Sequence, residues 1–296
     1  MRIAISGATG LVGTALSKKL AEDGHKIIPM VRKSSSAEEI FWNASSGKIE
    51  AKMLDGVDAV VHLAGESIAT GRWNVAKKQR IRESRSKGTE LIADTLAQLD
   101  NKPKVFVCAS AIGFYGDSRT EAMDETAGHG DGFLSEVCQD WEAACKPAVS
   151  AGIRTVNARF GIILSPKGGA LKEMLTPFKM GAGGVLGSGK QVLSWVSLDD
   201  TVGALVHAIE NESVSGPLNI TAPNANTNAE FTKTLGHVLG RPTIFPMPAF
   251  AARLLFGEKA DALLLTGCRV VPTKLEETGY KFQHEHLEPA LRHLLK

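Results

Sequence analysis

The chain has 296 residues, 43% of them hydrophobic and 22% charged, with a formal net charge of +2. That length can bury a substantial core, as one large domain or as one domain plus a smaller lobe, and the composition is that of a globular protein. The near-neutral balance gives no reason to expect nucleic acid or an acidic membrane surface as a partner. The four cysteines form no CxxC pair and show no ligand spacing with histidine, so no metal site and no disulfide framework are expected.

"RIAIS" (2–6) reads as a strand, and "LVGTALSKKLAEDG" as a helix closed by Gly24. "KIIPMVR" (26–32) and "DAVVHLAG" (58–65) are further strands, followed by a long helix over 74–98. "KVFVCAS" (104–110) is a strand, 132–151 a helix, and "RTVNARFG" (154–161) a strand. Continuous apolar strands alternating with helices imply a parallel sheet covered on both faces. Beyond residue 165 glycine and proline become frequent, and 223–296 carries two or three helices and few strands. The expected architecture is therefore α/β, a Rossmann-type doubly wound parallel sheet over 1–164 that also receives segments around 192–222. A smaller, mostly helical C-terminal lobe would comprise 165–191 and 223–296. No run reaches the roughly 18 apolar residues of a membrane span; "MPAFAARLLFGEKADALLL" is interrupted by Arg253, Glu258, Lys259 and Asp261. Met1 and Arg2 lead straight into "IAISG", which does not read as a signal peptide. A cytoplasmic setting is expected.

"GATGLVG" places Gly7, Gly10 and Gly13 between the first strand and the first helix. Gly7 permits the tight turn, Gly10 lets backbone approach a pyrophosphate, and Gly13 lets the helix pack close to the sheet. The N–H groups around Thr9, Leu11 and Val12 at the helix start suit the phosphates. An acidic residue ending the second strand would hold the ribose 2′-hydroxyl of NAD. Here the strand ends "MVRKSSS", so Arg32, Lys33 and three serines stand where a 2′-phosphate would sit. NADP(H) is the expected cofactor.

At this point the chain resembles the extended short-chain dehydrogenase/reductases, the NAD-dependent epimerase/dehydratase superfamily, over nearly its whole length. "GATGLVG", "DAVVHLAGE", "SRSKGT", "SAIGFYGD", "RFGIIL" and "LSWVSLDDTVGAL" occur in that family's order. "AGESIATGRW", "DWEAAC" and "GCRVVPTKLEETGY" resemble its atypical branch, often called cell-division-inhibitor-like or epimerase family proteins. The resemblance implies that Leu63, Ala64 and Gly65 lie beside the adenosine and its ribose. It puts Arg85 near the cofactor at a position usually held by asparagine, and Ile163 by the nicotinamide. Lys77, Lys78 and Arg82 are left as surface charges. Glu66, Arg72 and Trp73 begin a loop that would border a substrate crevice, and Trp195 is a further lining candidate.

Active members of the superfamily use a Ser or Thr together with a Tyr-x-x-x-Lys pair for proton transfer. The two tyrosines of this chain, Tyr115 and Tyr280, are followed four residues on by Arg119 and His284, so the pair is missing. Aligning Glu142 with the family's glutamate puts Leu134 at the Tyr position and Cys138 at the Lys position. Ala111 then takes the Ser/Thr position, with Ser110 beside it. Ser110 and Tyr115 are the candidate substitute groups, and Ser110 also counts among the cofactor-facing residues; Glu136 and Asp140 offer carboxylates on the helix. His62 reads as a hydrogen-bonded core residue, and Asp199 and Asp200 as helix caps. Two functions follow from this resemblance. One is an NADP(H)-dependent oxidoreductase or epimerase on a small substrate; the alternative is a non-catalytic NADP(H)-binding sensor or regulator. Monomer and homodimer are equally compatible with the sequence.

Overall fold

A computed structural model describes residues 1–33, 35–117 and 121–296. β1 (Arg2–Ser6) runs through the glycine turn into α1 (Leu11–Glu22), and β2 (Lys26–Val31) follows. β3 (Ile40–Asn43), β4 (Lys48–Ile49) and the short α2 (Ala51–Leu54) precede β5 (Ala59–His62) and the long α3 (Val75–Gln98). Next come β6 (Val105–Ala111), β7 (Ala122–Met123), α4 (Phe133–Ala143), α5 (Lys146–Ser150), β8 (Arg154–Phe160) and β9 (Ile162–Leu164). The chain continues with α6 (Gly169–Lys179), β10 (Val192–Leu193), β11 (Trp195–Ser197), α7 (Leu198–Glu210) and β12 (Gly216–Ile220). It closes with β13 (Asn226–Thr227), α8 (Asn228–Leu239), α9 (Ala249–Phe256), β14 (Arg269–Val270), α10 (Thr273–Glu277) and α11 (Leu287–Leu294).

The main sheet has the order β12-β8-β6-β5-β1-β2-β3-β4. Its pairs are parallel apart from the antiparallel β3–β4 edge. Side-chain alternation divides the core in two, because successive strand residues point to opposite faces. Ile3 and Ile5 join one apolar cluster with Val105 and Val107, packed under Leu16 and Leu20 of α1 and Ala204 and Leu205 of α7. Ala4, Val60 and Phe106 face the other way, toward Ile92 and Leu96 of α3 and Trp141 of α4. The fold is thus the doubly wound α/β sheet that the apolar strands imply. β1 lies between β5 and β2, so the chain reverses its direction of winding there, and ligands of such sheets bind at that switch point.

Beyond the sheet, Leu164, Leu171, Phe178, Leu193, Phe231, Leu235 and Leu291 form a further core that ties α6, α8 and α11 together. Several expectations need correction. The 132–151 helix is two helices, because α4 ends at Ala143 and Pro147 opens α5, where its missing N–H is harmless. The strand over 58–65 is shorter, Ala59–His62, and residues 223–296 carry four α-helices rather than two or three. The β3–β4 hairpin was not foreseen. Ser197, not Asp199 or Asp200, caps α7: its hydroxyl accepts from the Asp200 N–H at 2.9 Å.

Candidate cofactor site

The turn after β1 is shaped by two glycines that admit no side chain. Gly7 has φ +73°, and a Cβ there would stand 2.9 Å from Ala64 N. A Cβ on Gly13 would lie 2.1 Å from Gly7 O, so α1 approaches the loop as closely as backbone permits. Gly10 differs: a Cβ would meet Gly7 O alone, at 3.2 Å, and Thr9 and Gly10 are exposed. Gly10 is also the N-cap of α1 and supplies no side chain to the first-turn N–H groups. An uncapped helix start at an open glycine turn is a ready-made anion site. Leu11 and Val12 are half-buried beside it, and a Cβ on Gly168 would contact Leu11 at 3.5 Å.

Arg32 and Lys33 emerge exposed from the carboxyl end of β2, next to the turn, and neither forms an ion pair among the described residues. Ser34 of the serine run lies outside the described residues, while Ser35 donates to Glu39 through its N–H at 2.7 Å and its hydroxyl at 3.1 Å. From the far side of the turn, Leu63, Ala64 and Gly65 continue out of β5, with Leu63 N–H bonded to Ser6 O at 3.1 Å. Arg85 lies under Gly65. It donates from Nη1 to the carbonyls of Glu66 and Ile81, both at 3.0 Å, and stands 4.9 Å over the Trp141 ring. His62 is fully buried, with Ser6 Oγ at 2.5 Å from Nδ1, and burial pushes its pKa down to about 3.

On α4, Leu134 and Cys138 face the turn after β6: a Cβ on Gly113 would stand 3.4 Å from Leu134 Cβ and 3.8 Å from Cys138 Sγ. Burial pushes the Cys138 thiol up to about 11, so it stays protonated. Ser110, also buried, donates to Glu142 Oε1 at 2.7 Å. Glu142 in turn grips Arg159 through two contacts of 2.8 Å. Arg159 Nη1 donates to Tyr115 Oη at 2.8 Å, and Tyr115 donates to Asn219 Oδ1 at 2.7 Å. Burial raises the Tyr115 pKa. The phenol is only 3% exposed, and its donor and acceptor capacity are both engaged. Ser110 and Tyr115 therefore belong to one closed chain of hydrogen bonds running from α4 to β12. Arg159 and Asn219 were missed as members of this chain. The signal available was an arginine and an asparagine each flanked by apolar residues within a strand, Ala158 and Phe160 in β8 and Leu218 and Ile220 in β12. Glu136 and Asp140 point to Arg82, at 2.5 and 3.2 Å.

The loop after β5 is pinned from both sides. Glu66 pairs with Lys77 Nζ at 2.6 Å, and that bond holds its carboxyl below the usual range. Lys77, expected as a surface charge, is instead buried, because its ammonium has both Glu66 and Thr70 Oγ1 within reach. Trp73 donates to Ile68 O at 2.9 Å. Arg72 Nη2 reaches Leu254 O at 3.2 Å, Lys78 pairs with Glu258 at 2.6 Å, and Lys259 donates to Ala69 O at 2.9 Å. Residues 66–78 are thus latched to the C-terminal segment around α9. Trp195 lines no crevice: it is fully buried among the residues beyond the sheet, and its indole N–H donates to Asn226 at 3.0 Å. Ile163 is half-buried on β9, packed against the sheet core.

Comparison with known proteins agrees with this geometry. The NAD dependent epimerase/dehydratase family model matches residues 3–221, and a domain of unknown function (DUF1731) matches residues 247–294. An epimerase family protein of Mycobacterium bovis is 43% identical over 290 residues, which cover 98% of this chain and 96% of that one. The crystal structure of human epimerase family protein SDR39U1 (isoform 2) with NADPH matches with a TM-score of 0.91 and 36% identity over 99% of each chain. A UDP-glucose 4-epimerase of Thermotoga maritima, solved with UDP-glucose, covers 99% of this chain and 96% of its own at a TM-score of 0.76 and 20% identity, a likeness of fold. Glycine turn, sheet order and sequence agree, and the chain belongs to the NAD-dependent epimerase/dehydratase family.

Proposed function

We propose that this protein binds NADP(H) in preference to NAD(H) and uses it on a small substrate held beyond the carboxyl ends of β5 and β6, against the loop that α9 latches. The observation that carries the reading is the glycine turn beside two exposed cations, Arg32 and Lys33, that form no ion pair among the described residues. The residues fit the group: Gly7 and Gly13 close the turn without side chains, and Gly10 leaves its outer face open. Two cations then stand where a 2′-phosphate needs charge-assisted bonds. The human relative was crystallised with NADPH, which supports the same choice. Bound there, the dinucleotide supplies hydride chemistry at its nicotinamide. Leu63, Ala64 and Gly65 would border the adenosine, with Arg85 supporting Gly65 from below, and Ile163 would flank the nicotinamide.

Proton transfer does not follow the Tyr–Lys pattern in this reading. Leu134 is apolar, Cys138 stays a neutral thiol, and the Tyr115 hydroxyl is committed on both sides. Ser110 spends its proton on Glu142, so its oxygen is left to accept a bond and not to donate one. Buried as it is, its role in this reading is to hold Glu142 in place beside the site. The test is an NADPH and NADH fluorescence titration of the wild type and Arg32→Ala. Loss of one charge-assisted phosphate contact, about 1.5–3 kcal/mol, corresponds to roughly 10- to 100-fold weaker NADPH binding, with NADH binding unchanged. Equal affinity of the wild type for the two cofactors would overturn the assignment.

The committed hydroxyls favour a second reading, an NADP(H)-binding sensor or regulator without chemistry. Single-turnover NADPH oxidation against panels of carbonyl compounds and nucleotide sugars separates the two. Oxidation that Ser110→Ala suppresses supports the enzyme; tight binding with no oxidation across the panels supports the sensor.

A further inference from the structure

Away from the cofactor turn, three potential metal ligands converge where α7 meets the C-terminal segment. Asp199, in the first turn of α7, places Oδ2 3.0 Å from His293 Nε2 on α11 and 3.9 Å from His284 Nε2 in the loop before it. All three ligand atoms lie within 4.8 Å of one another. The two imidazole rings stand 4.7 Å apart, tilted by 38°.

An ordinary ion pair between Asp199 and His293 explains two of these groups and leaves the third unexplained. The His284 side chain is 12% exposed, and its Nε2 is shielded from solvent without a hydrogen-bond partner among the described residues. A polar atom stranded in that way is costly unless something binds it. His284 is also held in place from behind: its backbone N–H donates to Asp200 Oδ2 at 3.0 Å. Gln283 N–H and the Tyr280 hydroxyl donate to Asp200 Oδ1 at 2.7 and 3.1 Å. These bonds fix the backbone that carries His284 against the start of α7.

From these residues the geometry points to a site for a divalent transition metal of the zinc class, ligated by Asp199, His284 and His293. Two imidazoles and one carboxylate suit zinc, cobalt or nickel, whereas magnesium and calcium require oxygen ligands. Ligand bonds of about 2.0–2.1 Å in a tetrahedron set neighbouring ligand atoms roughly 3.3 Å apart. Two of the present separations, 3.0 and 3.9 Å, bracket that value, and the third lies within 4.8 Å, so the ligand atoms need shift by no more than about 1.5 Å to meet one ion. Asp199 and His293 are 43% and 55% exposed, which leaves a fourth position for water. The ion fastens α11 and the 280–286 loop onto α7, a helix packed on the main sheet. The site is separate from the cofactor turn. It went unseen in the sequence because its ligands stand at 199, 284 and 293, without a short motif.

The test uses the full chain, stripped with chelator and titrated with ZnCl2 by calorimetry, with Co2+ as the spectroscopic probe. Expected are one equivalent of zinc, tetrahedral Co2+ absorption bands, and a Tm raised by ZnCl2 but not by MgCl2. His293→Ala alters an exposed side chain and should fold. It should weaken zinc by about tenfold or more, as loss of even an outer partner does, and leave NADPH titration unchanged. His284→Gln should remove the Co2+ bands. Absence of one-equivalent binding to the wild type, or binding that survives both substitutions, overturns the site.

Discussion

Replacing Glu142 with alanine should be the most damaging single change beside the cofactor site, because it strands a buried guanidinium. The Arg159 side chain is 4% exposed and that of Glu142 13%. Two of the three nitrogens of Arg159 bond Glu142 at 2.8 Å, while the third keeps Tyr115 and the Phe114 ring lies 3.5 Å below. Removing one partner of a buried pair costs about 3–5 kcal/mol, since the remaining charge is neither paired nor hydrated. At about 2 °C per kcal/mol for a chain of this size, Tm falls by roughly 6–10 °C. Ser110→Ala is the control: it removes one bond to the same carboxylate, about 1.5–3 kcal/mol at most, and leaves Arg159 gripped. Circular-dichroism melts of both variants at neutral pH make the comparison. Equal, small losses of Tm would show that Arg159 does not depend on Glu142. The immobilisation of Tyr115 would then need another cause.

Other outcomes can be checked alongside. Gly13→Ala puts a Cβ 2.1 Å from Gly7 O, so the turn must open; NADPH binding should fall by about tenfold or more and Tm with it. Gly10→Ala meets one atom at 3.2 Å, so it should leave Tm nearly unchanged yet still weaken NADPH; a normal affinity in Gly13→Ala would contradict the close-approach argument. His62, with its pKa pushed to about 3 by burial, makes folding sensitive to acid. Below an unfolded-state pKa near 6.5 the unfolded chain takes a proton that the folded chain refuses, so stability is lost as pH falls. That loss is about 1.4 kcal/mol per pH unit from this group alone. Denaturant melts between pH 7 and 5 should show a gentler slope in His62→Gln; an identical slope would refute the burial argument.

The sheet was legible because its strands alternate between two apolar faces: Ile3 and Ile5 against Ala4, Val105 and Val107 against Phe106. The close-packed glycine turn was legible for a similar reason, since glycine spacing expresses a backbone requirement local in sequence. What stayed hidden depends on residues distant in the chain. The basic run 77–87 looks solvated apart from Arg85, yet Lys77 is buried because Glu66, eleven residues earlier, supplies its counter-charge. Trp195 looks like a lining residue until Asn226 is seen taking its indole N–H. The split of the 132–151 helix was readable in principle from Pro147, but apolar residues continued at helical spacing across the break.

The latch between residues 66–78 and the α9 segment has a mechanical meaning. Three separate ties, from Arg72, Lys78 and Lys259, join stretches about 180 residues apart in sequence. The segment matched by the domain of unknown function therefore acts as a strut for the wall that starts at Gly65. The two stretches should exchange amide hydrogens as one cooperative unit, and a cut near Pro248 should loosen the loop beside Arg85 long before it disturbs the sheet.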